Sequence, residues 1–392
     1  MLTALLVTVD LGGNLPPMLG IGRVLAERGW KVLVHGDDAA LRAAARAGLD
    51  GIPAAGFEYD PIAARGTAQT LRDIPKLWAD RSRGKDAVDA ARRVDAAVVV
   101  VDGSLIGALA ECEQAGLRTV ALAHTSWEGF RGFVTGPLGL LVRLRGAAAL
   151  SVLTRADRLL VTSDPAIGRP GALPANATLT GPVLQDAPST AVIRQTPLVV
   201  VSLSTVAFPG QGEALQRILD ALSRLPVDVL ASTGRTVDPH DLRPGANTTV
   251  HELIDHSAAM PGASAFVGHG GHAGTVRALA HGLPLLVIPM HPMMDQPRIG
   301  RAVAAAGAGL TLPRTASVDA IRDAVLRLLR DPGFATAATR IGRSFRDGGT
   351  VAADVIEQVA IGPTPALTPS GITSDPKDRG WSPRIRRRSH TS

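Results

Sequence analysis

The chain of 392 residues is 45% hydrophobic but only 3% aromatic, enough for two ordinary domains whose cores Ala, Val, Leu and Gly must fill, with no sign of global disorder. The formal charge of +6 looks basic, yet Asp375 to Ser392 holds six basic against two acidic residues, so the body is close to neutral and nucleic-acid binding is disfavoured as its main function. A single cysteine, Cys112, excludes an intramolecular disulfide and a cysteine-only zinc site, and makes a reducing cytoplasm the expected location. The opening MLTALLVTVD has no basic start and reaches Asp10 too soon for a signal peptide. The apolar stretch Val134 to Leu153 is broken by Arg143 and Arg145, too early for a membrane span of roughly 20 residues. It is expected to be a buried helix, with an apolar acceptor wall as the alternative.

Taken in order, Leu5 to Val9 is a short aliphatic strand followed by LGGNLPP and a helix, MLGIGRVLAERG, whose apolar positions 18, 19, 21, 24 and 25 share one face. Lys31 to Val34 follows as a second strand. The first loop lacks Gly-x-Gly-x-x-Gly and carries two prolines, which argues against a dinucleotide-binding oxidoreductase. Asn14, before a proline-started helix, is expected to be its N-cap. Residues 37 to 95 are the least informative. Ala96 to Val101 reads as a buried parallel strand ending in Asp102, SLIGALAECEQAG as a helix, and Arg118 to Ala123 as a strand ending in His124. Asp102 and His124 thus stand past the C-terminal ends of neighbouring strands, the ligand-binding edge of an open α/β sheet. The plainer reading makes Asp102 a cap for the helix near Ser104 and His124 a loop residue.

Arg158 to Val161 is another strand, and the Pro/Gly-rich segment Gly168 to Pro188 leads to a linker. A second α/β unit starts with the strand Leu198 to Leu203, with Ser204 and Thr205 after it, and continues with Val227 to Ala231, after which come Ser232, Thr233 and Gly234. The most specific stretch is Phe266 to Gly300. A strand ending near Val267 runs through His269 and a glycine-rich turn (Gly270, Gly271, Gly274) into a helix, Thr275 to His281. N–H groups at such a helix start, backed by its dipole, suit a phosphate, and glycine lets the ligand come close. A further strand, Leu285 to Ile288, leads to Asp295 and Gln296, a carboxylate and an amide able to grip vicinal hydroxyls. Phosphate at one end and polyol at the other suggest a nucleotide sugar. Helices are expected at Ile321 to Leu329, Phe334 to Arg346 and Val351 to Val359, followed by a Pro-punctuated basic tail, 363–392, expected to be disordered.

His269, Gly271, Gly274, Thr275, Leu279, Gly282, Pro284, Asp295 and Gln296 fall into the donor-binding signature of GT-B glycosyltransferases of the UDP-glycosyltransferase type, and the chain resembles the bacterial members that glycosylate natural products. The resemblance implies an α/β GT-B architecture: two Rossmann-like parallel-sheet domains facing a cleft, 1–188 for the acceptor and 198–362 for the nucleotide sugar, with the last helix crossing back onto the first domain. It further implies nucleotide or diphosphate contacts from Ser204, Thr205, Thr233, Leu253, His256, His269, Gly271, Gly274 and Thr275, and sugar contacts from Asp295 and Gln296.

The chain also departs from the pattern. The family's catalytic histidine falls on Asn14, an amide that cannot take a proton near neutral pH. The carboxylate that orients that histidine falls on Asp102. Asp102 and His124 then become the base candidates, with Asn14 left as a contact to the acceptor. The base-stacking Trp falls on Leu253, a Gln falls on His256, and Arg277 replaces a Glu that binds ribose hydroxyls, which leans the donor toward dTDP. His272, His281 and His291 read as turn or surface residues. No Asp-x-Asp occurs, so no metal and no cofactor is expected beyond the nucleotide sugar as co-substrate. The expected reaction is inverting sugar transfer to a hydroxyl of a small hydrophobic natural product. The expected partners are a nucleotide-sugar donor and a small-molecule acceptor, with no nucleic acid and no membrane span; a homodimer is left open. The alternative is a catalytically silent nucleotide-sugar binder.

Overall fold

A computed structural model describes residues 1–362 except 57, 58, 60–66, 169, 187–191, 293 and 346. The tail, 363–392, and the expected domain limit at residue 188 lie outside the described residues. Met1–Gly362 form one compact unit.

Thirteen strands make two all-parallel sheets among the described residues. The first has β1 (Thr3–Val7), β2 (Lys31–Gly36), β3 (Asp50–Pro53), β4 (Val98–Asp102), β5 (Thr119–Ala123), β6 (Arg158–Val161) and β7 (Ala177–Leu179), in the order β3-β2-β1-β4-β5-β6-β7. The second has β8 (Leu198–Ser202), β9 (Asp228–Ser232), β10 (Thr248–His251), β11 (Ala263–Gly268), β12 (Leu285–Val287) and β13 (Gly309–Thr311), in the order β10-β9-β8-β11-β12-β13. The central strands β1, β4 and β5 are buried along their whole length because helices cover both faces, which is why they read as continuous aliphatic runs. Each sheet reverses its winding once, between β1 and β4 and between β8 and β11, and ligand sites of open α/β sheets lie outside such reversals.

The last helix, Gly348–Ile361, returns to the first sheet as expected. Ala352, Ala353, Ile356 and Ala360 join the core beneath β1, β2 and β4, and Glu357 accepts from Trp30 Nε1 at 3.0 Å. Its first residue must be glycine, since a Cβ on Gly348 would sit 2.4 Å from the Pro182 carbonyl oxygen.

The region 37–95, for which the sequence offered no reading, contains helices Asp38–Arg46, Thr67–Trp78 and Arg81–Arg93 as well as β3. Two expectations need correction. The stretch 134–153 is not one buried helix: Gly136-Pro137 and Gly146, whose φ of +88° is left-handed, divide it among helices Trp127–Thr135, Pro137–Leu144 and Ala149–Arg155. The glycine-rich turn enters its helix at His272 rather than Thr275.

Candidate active site

Asn14 is wholly buried at the start of helix Leu15–Glu27, yet it does not cap it. Its Oδ1 accepts from the Leu11 N–H (2.9 Å), and its Nδ2 donates to the Val9 carbonyl (2.7 Å) and to Asp102 Oδ2 (2.7 Å). The amide folds the loop after β1 back on itself and ties it to the end of β4, across the reversal of the first sheet. The cap expectation is therefore wrong: the side-chain oxygen that would accept from a helix N–H accepts from Leu11 instead, while the NH₂ is held by Val9 and Asp102.

Asp102 is saturated from both sides. Its Oδ1 accepts from the Ser104 N–H (2.9 Å) and hydroxyl (2.6 Å), and its Oδ2 holds Asn14. His124, after β5, brings Nδ1 to 4.0 Å from Asp102 Oδ1, outside hydrogen-bond range, and that nitrogen is buried without a hydrogen-bond partner. Asp102 orders the turn at Ser104 without capping the helix, which starts at Ile106 with Leu105 in the cap position, and its carboxylate also faces the imidazole.

In the second sheet, β11 delivers His269 to a turn in which Gly270 has φ +81° and a Cβ on Gly271 would lie 2.5 Å from His269 Nε2. Helix His272–Ala280 follows with no side-chain cap. The N–H groups of His272, Ala273 and Gly274 therefore have no acceptor within the helix. Thr275 differs: its N–H bonds the Gly271 carbonyl at 3.0 Å and its side chain is buried. Burial pushes His269 down to about 4, so it is a neutral ring near pH 7, flanked by Phe208 at 6.3 Å.

Other expected donor contacts divide. Ser204 Oγ accepts from the Val206 N–H (3.0 Å), and Thr205 Oγ1 would lie 3.0 Å from a Cβ on Gly12, so the loops after β8 and β1 abut. Thr233 is buried and its hydroxyl donates to the Gly234 carbonyl (2.9 Å), which removes it as a donor to a nucleotide. Leu253 is half exposed on the loop after β10. His256 stands edge-on to Phe266, and burial, then the charge of Arg277, lower it to about 4. Arg277, itself lowered by burial against the pull of Asp186 and Asp255, lines a narrow crevice with Pro16, Pro17, His272 and Ala273.

Asp295 and Gln296 are engaged differently within the protein. Gln296 is buried and its Oε1 accepts from the N–H groups of Met290 (2.8 Å) and His291 (3.1 Å), fixing the loop after β12; only its NH₂ remains for a sugar. Asp295 Oδ2 accepts from Thr125 Oγ1 across the cleft at 2.7 Å, and burial raises its pKa against the opposing effects of Thr125 and His124. His272 also crosses: its Nε2 is 3.1 Å from Ser163 Oγ, and burial and then the charge of His124 push it down to about 3. His272 is thus a cleft residue rather than a turn residue, whereas His281 does end its helix. Thr125, Ser163 and Phe208 were missed in the sequence. All three follow the C-terminal end of a strand within a few residues, the same signal that picks out His124.

Residues 191–354 match the family model described as UDP-glucoronosyl and UDP-glucosyl transferase. The curated relative 4'-demethylrebeccamycin synthase of Lentzea aerocolonigenes is 32% identical over 230 residues, covering 55% of this chain and 53% of that protein. The chain thus spans about half the length of that relative. The glycotransferase of kitacinnamycin superposes with a TM-score of 0.71 at 21% identity, over 91% of this chain and 99% of that one. The glycosyltransferase VinC in complex with DTDP does so with a TM-score of 0.68 at 18% identity, over 92% and 99%. The architecture is that of the GT-B glycosyltransferases it superposes on, and the match to the UDP-glucoronosyl and UDP-glucosyl transferase model falls on the half of the chain that holds the second sheet.

Proposed function

We propose that the protein transfers a sugar from a nucleoside-diphospho-sugar, UDP- or dTDP-linked, to a hydroxyl of a small hydrophobic natural product, with inversion and without a metal. The carrying observation is the convergence of Asp295, Thr125, His124 and His272 at one point of the cleft, between a buried carboxylate on one side and an uncapped helix N-terminus on the other. Supporting it, a Cβ on Gly274 would meet only the Phe266 ring, at 3.7 Å, so the protein leaves room there for a ligand to approach the backbone.

In this reading the diphosphate lies against the N–H groups of His272 to Gly274, with neutral His269 as a further donor. Asp295 exchanges Thr125 for a sugar hydroxyl. His124 Nε2 takes the proton from the acceptor hydroxyl while Nδ1–H closes on Asp102, whose carboxylate holds the tautomer and stabilises the imidazolium. The acceptor oxygen bonds to the anomeric carbon as the bond to the diphosphate oxygen breaks on the opposite face. Arg277 cannot accept hydrogen bonds from ribose hydroxyls, which favours dTDP.

Asn14 supports a second reading, a silent nucleotide-sugar binder, because an amide occupies the place beside Asp102 where the family has its imidazole. Turnover of UDP- and dTDP-sugars with a panel of phenolic and macrocyclic alcohols separates the two. Transfer by the wild type that His124→Ala removes supports the enzyme. No transfer by the wild type, with transfer gained by Asn14→His, supports the binder.

A further inference from the structure

Helices Pro137–Leu144 and Ala149–Arg155 meet at 84° in the connection between β5 and β6. Their inner faces belong to the core, through Val142, Ala147, Val152 and Leu153. Their outer faces are unusual. Leu140 is 57% exposed, Leu144 74% and Leu150 37%; Leu140 and Leu144 are one turn apart on the same side, with Arg143 and Arg145 exposed beside them. From 129 to 156 the chain holds four arginines and no acidic residue, and only Arg155 has a carboxylate partner, Glu113 at 3.1 Å.

The pair is apolar enough to pass for a membrane span, but eight and seven residues reach only about 12 and 10 Å. That falls well short of a hydrocarbon core of roughly 30 Å, and the inner faces are already committed to the protein. No single helix among the described residues is long and apolar enough to cross a membrane. Aliphatic side chains beside two exposed arginines, on helices that carry no acidic residue of their own, suit a surface that offers acyl chains below anionic headgroups.

We infer that this helical elbow docks on the surface of an anionic phospholipid bilayer, with Leu140, Leu144 and Leu150 entering the acyl boundary and Arg143 and Arg145 at the headgroups. The connection begins at His124 and Thr125, so docking brings the cleft's acceptor side near the membrane, where hydrophobic small molecules concentrate. The docking itself needs none of the proposed chemistry.

The test is cosedimentation of the full chain with vesicles of phosphatidylcholine, with and without phosphatidylglycerol. Wild type is expected to bind the anionic vesicles and stay in solution with the neutral ones. The triple variant Leu140→Ser, Leu144→Ser, Leu150→Ser should bind at least about tenfold more weakly with an unchanged melting temperature, and Arg143→Gln and Arg145→Gln should each cost about fivefold. Wild type that does not sediment with anionic vesicles overturns the inference. So does a triple variant that binds like wild type, which would assign the binding to other positive charge such as the C-terminal segment. Loss of a dimer in the triple variant, by light scattering, without vesicle binding by wild type would make the patch a contact between copies and also overturn it.

Discussion

The two sheets present the same topological feature to the cleft but furnish it differently. Beyond β11 the site is made of backbone: two glycines, three N–H groups at an uncapped helix start, and a histidine that burial keeps neutral. Beyond β1 and β4 it is made of side chains, a buried carboxylate receiving three hydrogen bonds from Asn14 and Ser104 and facing an imidazole not yet in contact. A backbone site tolerates any change that adds no bulk. A side-chain site depends on the identity of each group, so the acceptor half is where single substitutions should do most.

The largest expected effect is therefore at His124. His124→Ala should lower turnover by a factor of about 100 to 10,000 while leaving nucleotide affinity intact, read from steady-state kinetics beside calorimetry. Near-normal turnover would remove it as the base. Asp102→Asn should also depress turnover, but it must leave at least one N–H donor from Ser104 or Asn14 facing an NH₂ group, a buried conflict costing about 1 to 3 kcal/mol, so melting must be measured alongside.

Effects on the donor side should be smaller and graded. His269→Ala should weaken nucleotide binding by about 1.5 to 3 kcal/mol, and Gly271→Ala should act in the same direction by pressing a methyl on the imidazole. Unchanged affinity in both would move the diphosphate elsewhere. Asp295→Ala should spare free nucleotide and weaken only the nucleotide sugar; equal losses would take Asp295 off the sugar. Because Thr125 occupies this carboxylate across the cleft, Thr125→Val should strengthen sugar binding slightly or leave it unchanged, and a large loss would mean that the hydroxyl itself grips the ligand.

How much of this was legible in the sequence follows the same division. The glycine-rich turn after β11 was legible because left-handed backbone is a local demand that glycine meets: Gly270 has φ +81°. So were the buried strands, whose aliphatic runs need no partner to be recognised. What failed was the choice of hydrogen-bond partner. Asn14 looks like a cap until its oxygen accepts the Leu11 N–H and its NH₂ goes to Asp102, 88 residues on. Gln296 looks like a ligand group until the loop after β12 folds onto its carbonyl. Thr233 looked free until its hydroxyl turned to the next carbonyl, and His272 was hidden by a helix start set three residues late.

Asn14→Ala sharpens the comparison next. It deletes an amide making hydrogen bonds to Leu11, Val9 and Asp102 in a fully buried place and leaves the Leu11 N–H and one carboxylate oxygen without those partners. A loss of about 1 to 3 kcal/mol in denaturant unfolding is expected, more than an exposed cap would cost. A loss of only a few tenths would mean the loop after β1 does not need its tie to β4.

The smallest effect concerns pH and links the two halves. Burial lowers His269 and His256 to about 4 and His272 to about 3, against an unfolded value near 6.5. Between these limits the unfolded chain takes up protons that the native chain refuses, so stability rises with pH; it is fully present above about 6.5 and lost as pH falls toward 4. Asp295 and Glu113, the latter pushed up to about 7 by burial, work the other way, because the native state keeps protons that the unfolded state has already shed, but they are two groups against six histidines that burial lowers, His35, His281 and His291 with the three above. The melting temperature should therefore fall by several degrees from about pH 7 to about pH 5. His272→Asn can keep a hydrogen bond to Ser163 without a titrating ring, so it should flatten that slope, and it should do so without moving the plateau above pH 7 by more than the loss of one hydrogen bond. An unaltered slope would mean that His272 titrates in the native state as it does in the unfolded chain and would remove it as a source of the pH dependence.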